Sequence, residues 1–158
     1  MNATDAGYRG APDFPQIAKA LDANSVAISK SIGAVYGPAA AKTFLDGKYM
    51  WRDHIRFFVA YTGALAKGDA AGQAKAVASL KTYTPRFGAF LASATGLPLS
   101  AVQSDLLGHV FELKAQLDDY AKKSYAKATS EYTAAYDHMF VTADLIAGAI
   151  AKLKHLAN

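Results

Sequence analysis

The sequence predicts an all-α fold, an up-and-down helical bundle of four to five helices with short connections. Three observations carry this. Apolar residues recur at three- and four-residue spacing through most of the chain. The breaks between these runs hold glycine and proline in the order that stops one helix and starts the next. Neither the alternation of a half-buried strand nor an Asn-Gly hairpin signal appears. At 158 residues, 52% hydrophobic and 19% charged, the chain is long enough to bury a core as one domain.

Residues 1–13, with Gly7, Gly10 and Pro12, read as a flexible leader, and 14–158 as a single helical domain. From Phe14, the spacing of Ile17, Leu21, Ile28, Ile32 and Val35 predicts a helix that stops at Tyr36-Gly37-Pro38. A second helix is expected from Pro38 to Ala66, carrying Phe44, Leu45, Trp51, Ile55, Phe58, Val59 and Leu65, with Gly47 loosening or bending it. It ends at Lys67-Gly68-Asp69, a C-cap glycine followed by an N-cap aspartate. The third, Ala70 to Thr95, contains Pro85, which is expected to kink it or split it in two. The fourth starts with Ser100 as N-cap and carries Val102, Leu106, Val110, Leu113, Leu117 and Tyr120. The fifth spans Lys127 to Leu156. Laying the second half on the first with an offset of 55 puts Trp51-Arg-Asp-His54-Ile55 on Leu106-Leu-Gly-His109-Val110, and Tyr83 on His138. This is a weak sign of two αα-hairpins related by an internal repeat.

Composition then removes chemistries. With no cysteine, disulfides, thiolate zinc, iron–sulfur clusters and thiol catalysis fall away. Of the 13 acids only two are glutamate, Glu112 and Glu131, too few for a four-glutamate di-iron bundle. The net charge of +4 comes from scattered lysines without a dense basic run or a nucleic-acid motif, so no nucleic-acid partner is expected. No apolar run is long enough to span a membrane, and residues 1–15 hold no apolar signal core. Gly-x-Ser-x-Gly, a phosphate loop and His-Glu-x-x-His are all missing, and the reading is of a non-enzyme.

Four histidines remain: His54, His109, His138 and His155. Antiparallel helices rise about 1.5 Å per residue, so equal counts from a shared turn give equal heights. His54 precedes the turn at Gly68 by nearly the count at which Tyr83 follows it. His109 precedes Ser124 by nearly the count at which His138 follows it. The counts place His54, Tyr83, His109 and His138 in one layer, and three imidazoles at one level suit copper or zinc. Asp105, Glu112, Asp137 and Met139, close in sequence, and Tyr83, in the same layer, are candidates for a fourth ligand or for partners of the far imidazole nitrogen. The same layer also fits a hydrogen-bonded polar core of a structural or protein-interaction module, or two facing ligands of a b-type haem. His155, beside Lys154, reads as a helix-dipole partner at the chain's end.

Several segments resemble a known family: Ala34-Val-Tyr36-Gly37-Pro-Ala-Ala, Trp51-Arg-Asp-His54-Ile55, Leu80-Lys-Thr-Tyr83, His109, and Tyr136-Asp137-His138-Met139-Phe140. They are similar to bacterial helical domains of secreted or envelope proteins, many of them labelled copper amine oxidase after a separate N-terminal domain. The resemblance covers residues 15–153 and implies a secreted or cell-envelope location. Amine oxidase activity does not follow from it, because that reaction needs a self-processed tyrosine cofactor in a larger β-rich domain. The family histidines map onto His54, His109 and His138. Family members also carry a further N-terminal helix with its own histidine, which these residues lack. A site drawing on that histidine is incomplete here or is completed by a second chain in a homodimer. The expectation is therefore an extracytoplasmic bundle that binds or sequesters copper or zinc through His54, His109 and His138.

Overall fold

The computed structural model describes residues 3–156. They are helical almost throughout and contain no strand, as the periodicity predicts. Seven helices follow in order: α1 (Ala3–Arg9), α2 (Phe14–Tyr36), α3 (Pro38–Asp46), α4 (Trp51–Ala66), α5 (Ala70–Thr95), α6 (Leu99–Ala121) and α7 (Tyr125–Lys154). Where the sequence predicts one domain, the chain divides into two compact units, one reaching to Tyr83 and the other starting at Thr84. The division falls inside α5, beside Pro85.

Four boundaries differ from the sequence reading. The expected leader is ordered as α1, which packs on α4 and α2. Its contacts are made by small residues: Ala6 is fully buried, and a β-carbon at Gly7 would lie 3.1 Å from the Phe14 ring and 3.5 Å from Thr62 Cγ2. Small residues give no hydrophobic periodicity, and so α1 is silent in the sequence. The expected long second helix is two helices, α3 and α4, separated at Gly47–Met50. Gly47 turns to extended backbone (φ −62°, ψ 150°), and Tyr49 takes a left-handed conformation (φ 60°). The Tyr49 N–H donates to Asp53 Oδ2 at 2.7 Å and secures this turn. A β-carbon at Gly47 would come within 2.5 Å of the Thr43 carbonyl oxygen, so only glycine fits there.

Pro85, by contrast, does not split its helix, and α5 continues through it to Thr95. One lost N–H is tolerated within a long helix, and the Pro85 carbonyl accepts a bond from Gln103 Nε2 at 3.4 Å. Helix α6 begins at Leu99 with Pro98 as N-cap, so Ser100 lies inside its first turn. Helix α7 starts at Tyr125 and closes on His155, a left-handed C-cap whose N–H reaches the last carbonyls.

In the first unit, Phe44, Phe58, Tyr61, Leu80 and Tyr83 are buried. The Trp51 ring stacks on Phe44 at 5.2 Å, and its N–H donates to Ser25 Oγ at 3.0 Å. Ser25 is buried on α2, so this bond gives the indole nitrogen a partner inside the core. Arg52 forks to Asp22 and Asp46, tying α4 to α2 and α3. In the second unit, Leu106, Val110 and Leu117 of α6 are buried, as are Ala128, Ala135 and Thr142 of α7. Large side chains on one helix meet small ones on the other, and this packing brings α6 and α7 together.

Candidate metal centre

Asp105, His109 and Glu112 stand at i, i+4 and i+7 on α6, and therefore share one face. His138, in the middle of α7, is presented to that face. Its ring lies over the α6 backbone, where a β-carbon at Gly108 would lie 3.5 Å from His138 Cε1. The two imidazoles meet edge to face with centroids 5.8 Å apart.

His138 is held at both nitrogens. Nδ1 lies 2.8 Å from Glu112 Oε2, and Nε2 lies 3.0 Å from Asp105 Oδ1. The other Asp105 oxygen accepts a bond from Thr142 Oγ1 at 3.0 Å. With a carboxylate at each ring nitrogen, the surroundings of His138 favour its protonated form. The Glu112 hydrogen bond, supported by that of Asp105 and opposed by partial burial, raises its pKa above the ordinary histidine range.

His109 is pushed the other way. Burial, then the neighbouring His138 charge, lowers its pKa, and the more distant Glu112 and Asp105 charges only partly offset this. Its Nδ1 is shielded from solvent, makes no hydrogen bond and lies 3.9 Å from Glu112 Oε2. His109 thus places a buried ring nitrogen that makes no hydrogen bond beside a carboxylate. Among the described residues, His109, Glu112 and His138 form the group of histidine and carboxylate side chains that could hold an ion, with one ligand atom from each lying within 4.8 Å of the others.

The remaining predicted site residues are placed differently. His54 belongs to the first unit, where it meets Trp51 edge-on at 4.8 Å and stacks on Tyr83 at 5.1 Å. Tyr83 is buried, and its hydroxyl pKa is raised by that burial. The rings packed on His54 are thus aromatic, and His54 lies outside the ligand cluster. Asp137 is exposed and lies outside the cluster as well. Met139 is half-buried one position beyond His138, about 100° further round the helix. That Asp105 and Glu112 are partners of His138 goes beyond the sequence reading. Three polar side chains at i, i+4 and i+7, which fall on one face of α6, are the signal available for it.

No protein family, curated protein or solved structure matches this chain.

Proposed function

We propose that this protein binds a divalent transition metal, zinc or copper, through His109, Glu112 and His138, and that its role is binding or sequestration. The observation that carries the reading is the approach of three ligand atoms of the right chemistry to within 4.8 Å of one another. Two imidazoles and a carboxylate make a nitrogen-rich set that suits zinc and copper over magnesium or calcium. Asp105 supports it from behind. Its bond to His138 Nε2 fixes the tautomer in which Nδ1 is the ligand, the usual arrangement for a metal-bound histidine. A metal then takes the place of the proton that His138 Nδ1 shares with Glu112. Three protein ligands leave a fourth position for solvent or for a group from a partner.

A second reading rests on the same bonds. His138, satisfied at both nitrogens, ties α7 to α6 through two ion pairs and can serve as a structural clamp without a metal. Calorimetric titration of the metal-free chain with Zn²⁺ and with Cu²⁺ separates the two. The metal reading expects one site per chain, its affinity lowered about 10–100-fold by Asp105→Ala and abolished by His109→Ala. Binding that survives His109→Ala unchanged overturns it, and absent binding leaves the clamp.

A further inference from the structure

A threonine hydroxyl inside a helix commonly donates back to the carbonyl four residues earlier. Four threonines of this chain do so. Thr62 and Thr95 donate to the carbonyls of Phe58 and Leu91, and on α7 Thr129 and Thr133 donate to those of Tyr125 and Thr129. Thr142, on the same helix, departs from the pattern: its Oγ1 donates at 3.0 Å to Asp105 Oδ2 on α6. The helical alternative is the carbonyl of His138, four residues earlier. A hydrogen bond to an ionised carboxylate is roughly twice as strong as one between neutral groups, and so the carboxylate wins. Thr142 is buried, with 4% of its surface exposed, and its hydroxyl is committed to this one partner.

The bond closes a loop of contacts behind His138. His138 and Thr142 stand one turn apart on one face of α7. Between them they engage both oxygens of Asp105, Oδ1 facing His138 Nε2 at 3.0 Å and Oδ2 accepting from Thr142. A carboxylate held at one oxygen pivots about its Cβ–Cγ bond, and the Asp105 side chain is 27% exposed, so water is at hand to take over a released oxygen. Held at both oxygens, Asp105 keeps the rotation that occupies Nε2. The nitrogen left for an ion is then Nδ1, the one that faces Glu112. We propose that Thr142 is a positioning residue of the metal centre, holding Asp105 so that His138 presents Nδ1 to the ion. This rests on the metal reading of His109, Glu112 and His138.

Calorimetric titration of the metal-free full chain with Zn²⁺ tests it in a mutant cycle. Thr142→Val keeps the shape of the side chain and removes the hydroxyl, and it should weaken zinc binding about tenfold, the lower end of what loss of a group supporting a metal ligand costs. Thr142→Ser restores the hydroxyl and should bind close to wild type. Because Thr142 acts through Asp105, the double variant Thr142→Val/Asp105→Ala should bind no more weakly than Asp105→Ala alone. Circular dichroism in chelator shows which variants are folded at the titration temperature. Thr142→Ala, which also removes the hydroxyl, gives the same comparison if the valine variant does not fold. A role in packing alone would lower stability in chelator and leave the zinc affinity of the folded variant at the wild-type value. That result overturns the proposal, as does a double variant about tenfold weaker than Asp105→Ala, and in both cases the metal reading stands. A wild-type chain that binds no zinc overturns the metal reading and the proposal with it.

Discussion

Replacing Glu112 by glutamine tests the chemistry of the cluster while leaving its shape intact. In wild type, Glu112 Oε2 accepts from His138 Nδ1 at 2.8 Å, and it is the one carboxylate of the three-ligand group. A hydrogen bond to a charged group contributes about 1.5–3 kcal/mol. The Glu112 side chain is 31% exposed, so solvent screening takes the expected loss to the lower end, about 1–2 kcal/mol without metal. For a chain of this size that is a fall in Tm of about 2–8 °C. Metal widens the difference. Zinc at a hundredfold excess over its Kd stabilises the wild type by about 2.7 kcal/mol, a rise of about 5–10 °C. Glu112→Gln should show little of this rise. The assay is thermal unfolding followed by circular dichroism, in chelator and in zinc, on both proteins. An equal zinc-induced rise in both would refute the assignment of Glu112 as a ligand, and no rise in the wild type would refute the metal site itself.

Three further outcomes are expected. In chelator, stability against urea should peak near pH 6.5, the ordinary histidine value. The raised pKa of His138 gives stability that is full below that value and is lost as pH climbs through the folded pKa, whereas the lowered pKa of His109 gives stability that is full above it and is lost as pH falls. His138→Gln should flatten the alkaline limb, and an alkaline limb that persists in this variant contradicts the account. Leu117→Ala, at a fully buried position of α6, should cost about 2–5 kcal/mol in a urea titration. Gly47→Ala forces a β-carbon against the Thr43 carbonyl and Met50 Cγ and should cost about 1–3 kcal/mol, with the urea midpoint as readout.

What the sequence discloses follows from which forces leave a periodic trace. Burial of large side chains does so, and α2, α5, α6 and α7 are legible from Ile17 through Ile150, with only their ends shifted. Contacts between small groups leave none, which hides α1, where Ala6 and Gly7 do the packing. At Gly47 the sequence announces a bend, and what it hides is the full break between α3 and α4. It depends on a left-handed Tyr49 secured by Asp53, and neither residue type announces that conformation. In the candidate site, the height count expects His54, Tyr83, His109 and His138 in one layer, and the ring contacts seen are those within the pairs His54–Tyr83 and His109–His138. It carries no information on the direction of a side chain round its helix, so it could not show that Asp105 and Glu112 enclose His138 rather than face solvent.

The internal offset gives these pairs a common origin in the pattern. The separation of His54 from Tyr83 equals that of His109 from His138, and the offset carries the first pair onto the second. Each pair is formed between a helix and its successor, α4 with α5 and α6 with α7. The matching positions around the two pairs diverge. Where the second half has Asp105, Glu112 and Thr142, the first half carries Met50, Phe57 and Phe87. Two carboxylates and a hydroxyl are thus exchanged for apolar side chains, and a tyrosine stands in place of the second imidazole. A carboxylate is what raises the pKa of His138 and what would neutralise a bound cation, and the matching positions around His54 supply neither effect. The same helical frame therefore supports an aromatic contact at His54 and a charged, ligand-rich one at His138. The difference lies in a few side chains on the facing helices, and it is why the proposed metal chemistry belongs to the α6–α7 hairpin and not to its counterpart.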